Sequence, residues 1–227
     1  VGQARSRKMV IAFPAVKGEG ERPGAVGRAI HETINNDLTF IDSFRFLGAS
    51  AFVEDSAKAG LTPDSFKMTD WSSIGSDILI KTQVSIENNV IAFETHVYDV
   101  PGNKQVHAKK YLGTPGDIKT MAHTFANDVV LLLTGLPGIF LTKIASVCDR
   151  TGKKEVYILN FDGTDVKQIT HHRSTVTGPA WHPNGTKLAY SLFTKSRSNI
   201  KNHDLYEFDF SSETFRMLSN RKGINSG

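Results

Sequence analysis

One stretch of this chain is written twice. Glu155-Val156-Tyr157-Ile158-Leu159-Asn160-Phe161 returns as Asp204-Leu205-Tyr206-Glu207-Phe208-Asp209-Phe210, and Val166-Lys167-Gln168-Ile169-Thr170 returns as Phe215-Arg216-Met217-Leu218-Ser219, both 49 residues later. Thr142-Lys143-Ile144-Ala145 returns as Thr186-Lys187-Leu188-Ala189 after only 44 residues, so the later copy holds five extra residues, placed by this reading in a loop within Ser191 to His203. Alternating short strands recurring at such a period predict a β-propeller with one four-stranded blade per repeat. Two copies make about two blades, over residues 138–227. Pro179-Ala180-Trp181 follows the first copy, and the sequence stops at Gly227, where the next such tripeptide is due. That reads as a cut at a repeat boundary. Repeat units do not bury their faces alone, so the expectation is part of a longer protein, or self-association through exposed blade edges.

Residues 1–137 predict a separate mixed α/β domain. Lys8 to Phe13 is a short apolar run closed by Pro14, the pattern of a buried strand. Pro23 opens a helix with Val26, Ile30, Ile34 and Leu38 on one face. Phe44 to Leu47 is a second strand, and Asp70 to Gly75 a brief capped helical turn. Ile78, Ile80, Thr82, Val84 and Ile86 then alternate, as do Ile91, Phe93, Thr95 and Val97 after a turn at Glu87-Asn88-Asn89, which makes a hairpin. Gln105 to Tyr111 adds a third strand polar enough for a sheet edge. Thr114-Pro115-Gly116-Asp117 is a capping-box start for a helix whose apolar face runs from Ile118 through Met121, Ala122, Phe125 and Val129 to Leu132 and Leu133. Gly135-Leu136-Pro137-Gly138 breaks it.

The composition narrows function mainly by exclusion. A formal charge of +4 is spread among interspersed acidic and basic residues, so nucleic acid is not an expected partner. No apolar run is long enough to span a membrane. The single cysteine, Cys148, cannot pair within the chain and reads as a small buried hydrophobe. Gly18-Glu19-Gly20-Glu21-Arg22-Pro23-Gly24 occupies the place of a dinucleotide loop, but Pro23 stands where the third glycine belongs and two glutamates would repel a pyrophosphate. It reads as a flexible connector. Gly48-Ala49-Ser50-Ala51-Phe52 lacks the second glycine of a nucleophile elbow. His171 and His172 are adjacent, point apart in an extended chain, and read as a polar loop between blades rather than metal ligands. Tyr157, Trp181, Tyr206 and Phe210 fall at repeat-equivalent or strand positions and read as blade core. No catalytic, metal or cofactor site is expected.

The pattern Pro179-Ala180-Trp181-His182-Pro183-Asn184-Gly185-Thr186-Lys187-Leu188-Ala189 resembles the propeller repeat of the TolB family. Trp71-Ser72-Ser73-Ile74-Gly75-Ser76-Asp77 before a strand, and the run from Leu133 to Ala145, resemble that family's domain junction. The resemblance implies a non-catalytic adaptor of the Tol-Pal envelope system, periplasmic, serving outer-membrane integrity and cell division. It implies a Pal-like lipoprotein bound by the complete six-bladed propeller, of which about two blades are present here. It also implies a TolA-like inner-membrane protein bound through the N-terminal tail, here Val1 to Lys8, with Val1, Arg5, Arg7 and Lys8 as the contact residues. Two rival readings are a fragment of a propeller-gated serine hydrolase, whose catalytic domain would lie outside this chain, and a small-ligand-binding α/β domain.

Overall fold

The computed structural model describes residues 7–20, 23–54, 59–195 and 201–226. They form two compact units that divide between Leu141 and Thr142. The division falls a few residues past the expected break at Pro137, and the reason is local. Asn127 Oδ1 accepts the backbone N–H of Phe140 at 3.0 Å, and the Phe140 ring is 1% exposed, so the segment after the helix stays tied to it.

In the first unit the order is β1 (Met9–Ala12), β2 (Lys17–Gly20), α1 (Pro23–Thr39), β3 (Phe44–Phe46), α2 (Met68–Ser73), β4 (Ile78–Glu87), β5 (Val90–Asp99), β6 (Lys104–Gly113) and α3 (Ile118–Thr134). The sheet runs β3-β1-β4-β5-β6, with β1 parallel to both neighbours and β4 to β6 an antiparallel meander. Asn88 and Asn89 both take left-handed backbone, at φ 49° and 65°, as a tight hairpin turn requires. The register sets Ile80 against Val97, Val84 against Phe93 and Ile86 against Ile91, which puts one apolar face together. On α1, Ile30, Ile34 and Leu38 are fully buried. Helices α1 and α3 are joined by Asp37 Oδ2, which accepts a hydrogen bond from His123 Nδ1 at 2.6 Å. The opposite sheet face carries a second cluster of Ala12, Leu79, Tyr98 and Val100 beneath Trp71 of α2.

Three expectations change here. The glycine-rich segment is not simply a connector, because Lys17–Gly20 pairs in parallel with Gln83 to Ile86 of β4. Backbone groups alone make that ladder, so it needs no apolar pattern. The capping box at Thr114 and Asp117 is present, but it opens a 3-10 turn over Pro115–Asp117 before α3 begins. The buried face of α3 ends early, with Leu132 39% exposed where burial was expected. Gly135, at φ 74°, then stops the helix by donating to the Leu131 carbonyl at 2.9 Å.

The second unit holds a three-stranded sheet, β7 (Lys143–Cys148), β8 (Glu155–Asn160) and β9 (Lys167–Gln168), and a four-stranded antiparallel one, β10 (Val176–Trp181), β11 (Lys187–Lys195), β12 (Lys201–Asp209) and β13 (Thr214–Ser219). The sequence repeat is also a repeat of hydrogen bonds. Phe161 N–H donates to the Thr142 carbonyl at 3.1 Å, and Phe210 N–H to that of Thr186 at 3.0 Å. Val176 N–H donates to Lys154 at 2.9 Å, and Asn225 N–H to His203 at 3.0 Å. These are two partial propeller blades with a shared apolar cluster: Val156, Ile158 and Ile169 from the first meet Val176, Leu188, Tyr190, Leu192 and Phe208 from the second. Trp181 packs on this cluster and stacks on Phe210, ring centres 5.2 Å apart. Much of the expected loop in Ser191 to His203 is strand, since β11 and β12 stay paired out to Lys195 and Lys201. Cys148 is half-buried rather than enclosed.

Candidate functional site

The expected partner segment leads into β1. Val1 and Arg5 lie outside the described residues, whereas Arg7 and Lys8 are placed. Arg7 Nη2 donates to both carboxylate oxygens of Asp77, at 2.9 and 3.2 Å. The same carboxylate accepts the Val10 N–H at 2.8 Å, so Asp77 fixes both the entry to β1 and the guanidinium beside it. Lys8 Nζ reaches Asp42 at 2.6 Å, on a carboxylate side chain that is 98% exposed. An exposed ion pair such as Lys8–Asp42 contributes about 0–1 kcal/mol. Nothing in the sequence singled out these two aspartates as ion-pair partners, because each is 34 or more residues from the residue it binds.

Chemistry-bearing residues elsewhere take structural places. Among the described residues no three His, Cys, Asp or Glu side chains converge as a metal site. Ser50 sits in an exposed 3-10 turn over Ala49–Ala51. His171 and His172 both lie in the loop that precedes β10, but only His171 is exposed. His172 is half-buried among Tyr190, Tyr206 and Phe215, with ring centres 5.5 to 5.9 Å away, and its Nε2 lies 2.8 Å from the Tyr190 hydroxyl. Burial holds its imidazole below the usual histidine range, against the pull of the Glu155 charge, while the neighbouring His171 pushes the same way as burial.

The most unusual electrostatic feature is a buried ion pair that the hydropathy pattern concealed. Lys81 of β4 points away from α1 and α3 and meets Glu54, their side chains only 5% and 9% exposed. Glu54 Oε2 also accepts the Trp71 indole N–H at 3.2 Å, and the ammonium lies 4.2 Å from the centre of the Phe66 ring. Desolvation lowers the Lys81 pKa, Glu54 counters it through a hydrogen bond and its charge, and Lys17 adds a smaller lowering. The pair anchors the segment that follows β3 onto the sheet.

Comparison with known proteins gives a consistent family. Residues 1–106 match the sequence model of the TolB amino-terminal domain. The Tol-Pal system protein TolB of Geobacter metallireducens is 33% identical over 180 residues, covering 79% of this chain and 41% of that protein. A protein TolB homolog of Chlorobaculum tepidum is 32% identical, covering 85% of this chain and 43% of its own length. TolB of Anaeromyxobacter dehalogenans aligns with the whole chain at 29% identity over 51% of its length. The crystal structure of TolB from Acinetobacter baumannii shares the fold, with a TM-score of 0.76 over 97% of this chain and 51% of that one at 21% identity. The chain thus spans about half the length of the relatives it matches, or less. A domain match at the N-terminus, relatives that align along the whole chain and a common fold together show that it belongs to the TolB family, as a part comprising the amino-terminal domain and about two propeller blades.

Proposed function

We propose that this chain acts as a non-catalytic protein-interaction adaptor in a Tol-Pal-type system of the periplasm, supporting outer-membrane integrity and cell division. The observation that carries the reading is that its relatives are named Tol-Pal system proteins. Two further features fit it. No helix among the described residues is long and apolar enough to cross a membrane. The N-terminal segment is basic and is held at Lys8 by an exposed ion pair with little net cost of release. In this reading residues 1–8, with Val1, Arg5, Arg7 and Lys8, engage a TolA-like inner-membrane protein as an extended peptide added to a sheet edge. A Pal-like lipoprotein is bound by a complete propeller, for which two blades supply only part of the surface.

Calorimetric titration of a TolA-like domain with the chain lacking residues 1–8 tests the assignment. Loss of at least about tenfold in affinity with an unchanged melting temperature is expected, since tenfold corresponds to about 1.4 kcal/mol of contacts. Equal affinity of the shortened and intact chains would show that the partner site lies elsewhere.

A further inference from the structure

A cleft opens in the first unit at the carboxyl ends of the parallel strands β1 and β3. Phe13 follows β1, Phe46 ends β3, His31 and Asn35 come from α1, and Phe52 and Glu54 come from the segment after β3; together they enclose about 380 Å³. That volume falls in the range of small-ligand pockets, roughly 300–1,000 Å³. Loops at the carboxyl ends of parallel strands form the crevice in which open α/β sheets hold ligands. Nothing in the proposed adaptor role uses this cleft.

Its walls and its polar groups define one kind of guest. The walls are aromatic and fixed. His31 stacks on Phe13 with ring centres 4.4 Å apart and planes 23° apart, and Phe52 packs edge-on against Trp71 at 5.2 Å. Among the polar groups, His31 Nε2 lies 3.1 Å from the Phe13 carbonyl oxygen. A carbonyl only accepts, so Nε2 carries the proton, and in the neutral ring Nδ1 is left as an acceptor. The Asn35 carboxamide makes no hydrogen bond to another described residue, which leaves both its oxygen and its NH2 open. The Glu54 carboxylate is committed to Lys81 and to the Trp71 N–H, so it offers a guest neither a free charge nor a free acceptor. Between the apolar rings the open polar groups are therefore one imidazole acceptor and one carboxamide, which both accepts and donates. The described lining brings no free cation to hold a phosphate or carboxylate, whereas a flat aromatic ring with one donor finds apolar faces and an acceptor on either open group.

We propose that this cleft binds an indole ring, its N–H donated to Asn35 Oδ1 or His31 Nδ1 and its faces held between the Phe13–His31 pair and Phe52. Indole is a donor without acceptor atoms, and its large face and wet edge suit an apolar pocket with few polar groups. The ring can arrive as a tryptophan side chain of a partner peptide or as a free small indole.

The test is an NMR titration of the whole chain with N-acetyltryptophanamide, free indole and N-acetylphenylalaninamide. Saturable shifts are expected at His31, Asn35 and residues 46–54 with the two indoles. The phenylalanine probe should bind about tenfold more weakly, the worth of one neutral hydrogen bond left unmade. Asn35→Leu should bring N-acetyltryptophanamide close to that weaker value, and Ala49→Phe, which fills the cleft from an exposed position, should abolish the shifts. Binding of both indoles supports a docked side chain, and binding of free indole alone supports a small-molecule site. Equal affinity for the phenylalanine probe, no saturable shift with either indole, or shifts unchanged in both variants would overturn the proposal.

Discussion

Removing Glu54 should be among the most damaging single changes in the first unit, more so than its distance from any catalytic motif would suggest. In Glu54→Ala the Lys81 ammonium stays beneath Phe66 and Trp71, 5% exposed, with no countercharge, and the Trp71 N–H loses its acceptor. Breaking a buried pair on one side costs about 3–5 kcal/mol, most of it the burial of the abandoned charge. The pH dependence follows from the direction of the Lys81 shift. Burial already holds its pKa below the usual 10.5, and losing Glu54 removes the two effects that raise it. The folded protein then releases this proton at lower pH than the unfolded chain, which binds more protons across the interval, so stability rises with pH there. The deficit should be largest near neutral pH and shrink as the medium approaches pH ~10. The chain has two tryptophans, Trp71 in the first unit and Trp181 in the second, so urea unfolding followed by fluorescence in a Trp181→Phe background reports the first unit alone. A second variant, Glu54→Ala with Lys81→Met, should recover at least about half of the loss, because replacing both charges removes the stranded one. A loss below about 1 kcal/mol for Glu54→Ala, the size of a surface pair, or no recovery in the double variant, would refute the account.

Two further outcomes follow from geometry described above. His172→Phe should flatten the acid sensitivity of the second unit: the wild-type imidazole is held below its usual 6.5, so the unfolded chain binds its proton first and stability falls as the pH drops through the usual histidine range. Unfolding monitored at Trp181 across that range checks it, and an unchanged slope in the variant would count against the buried aromatic site. Gly138→Ala should destabilise the first unit by about 1–3 kcal/mol, because its new Cβ would lie 2.1 Å from Asn127 Oδ1 and 2.7 Å from the Asn127 backbone. Calorimetric melting measures this, and a neutral result would mean that the segment after α3 is free to move off the helix.

Elements whose signal is local were legible in the sequence. The β4–β5 hairpin follows from period-two alternation around two asparagines, α1 and α3 from apolar spacing, and the blades from their recurrence. What escaped depends on residues far apart in the chain. Strand β2 has no side-chain period because its pairing with β4 is purely backbone. Lys81 falls on the face of β4 opposite its alternating apolar positions and looks like a solvent-facing residue until Glu54, 27 residues away, is seen beside it. His172 sits next to His171, but its surroundings come from Tyr190, Tyr206 and Phe215. Arg7 has its partner at Asp77 for the same reason: β1 and β4 are parallel neighbours, so the residues that lead into them lie side by side.

The matched hydrogen bonds of the two blades also say where this architecture tolerates growth. Thr142 to Phe161 and Thr186 to Phe210 close the same bond around hairpins that differ by five residues, whereas Lys154 to Val176 and His203 to Asn225 enclose equal lengths. Insertions are therefore absorbed at the hairpin between β11 and β12 without disturbing either closure. The extra length is taken up largely as paired strand, since β11 and β12 hold 9 residues each where β7 and β8 hold 6. An epitope tag or a labelling cassette is consequently best grafted within the β11–β12 hairpin, where it reports on the repeats while leaving their register intact.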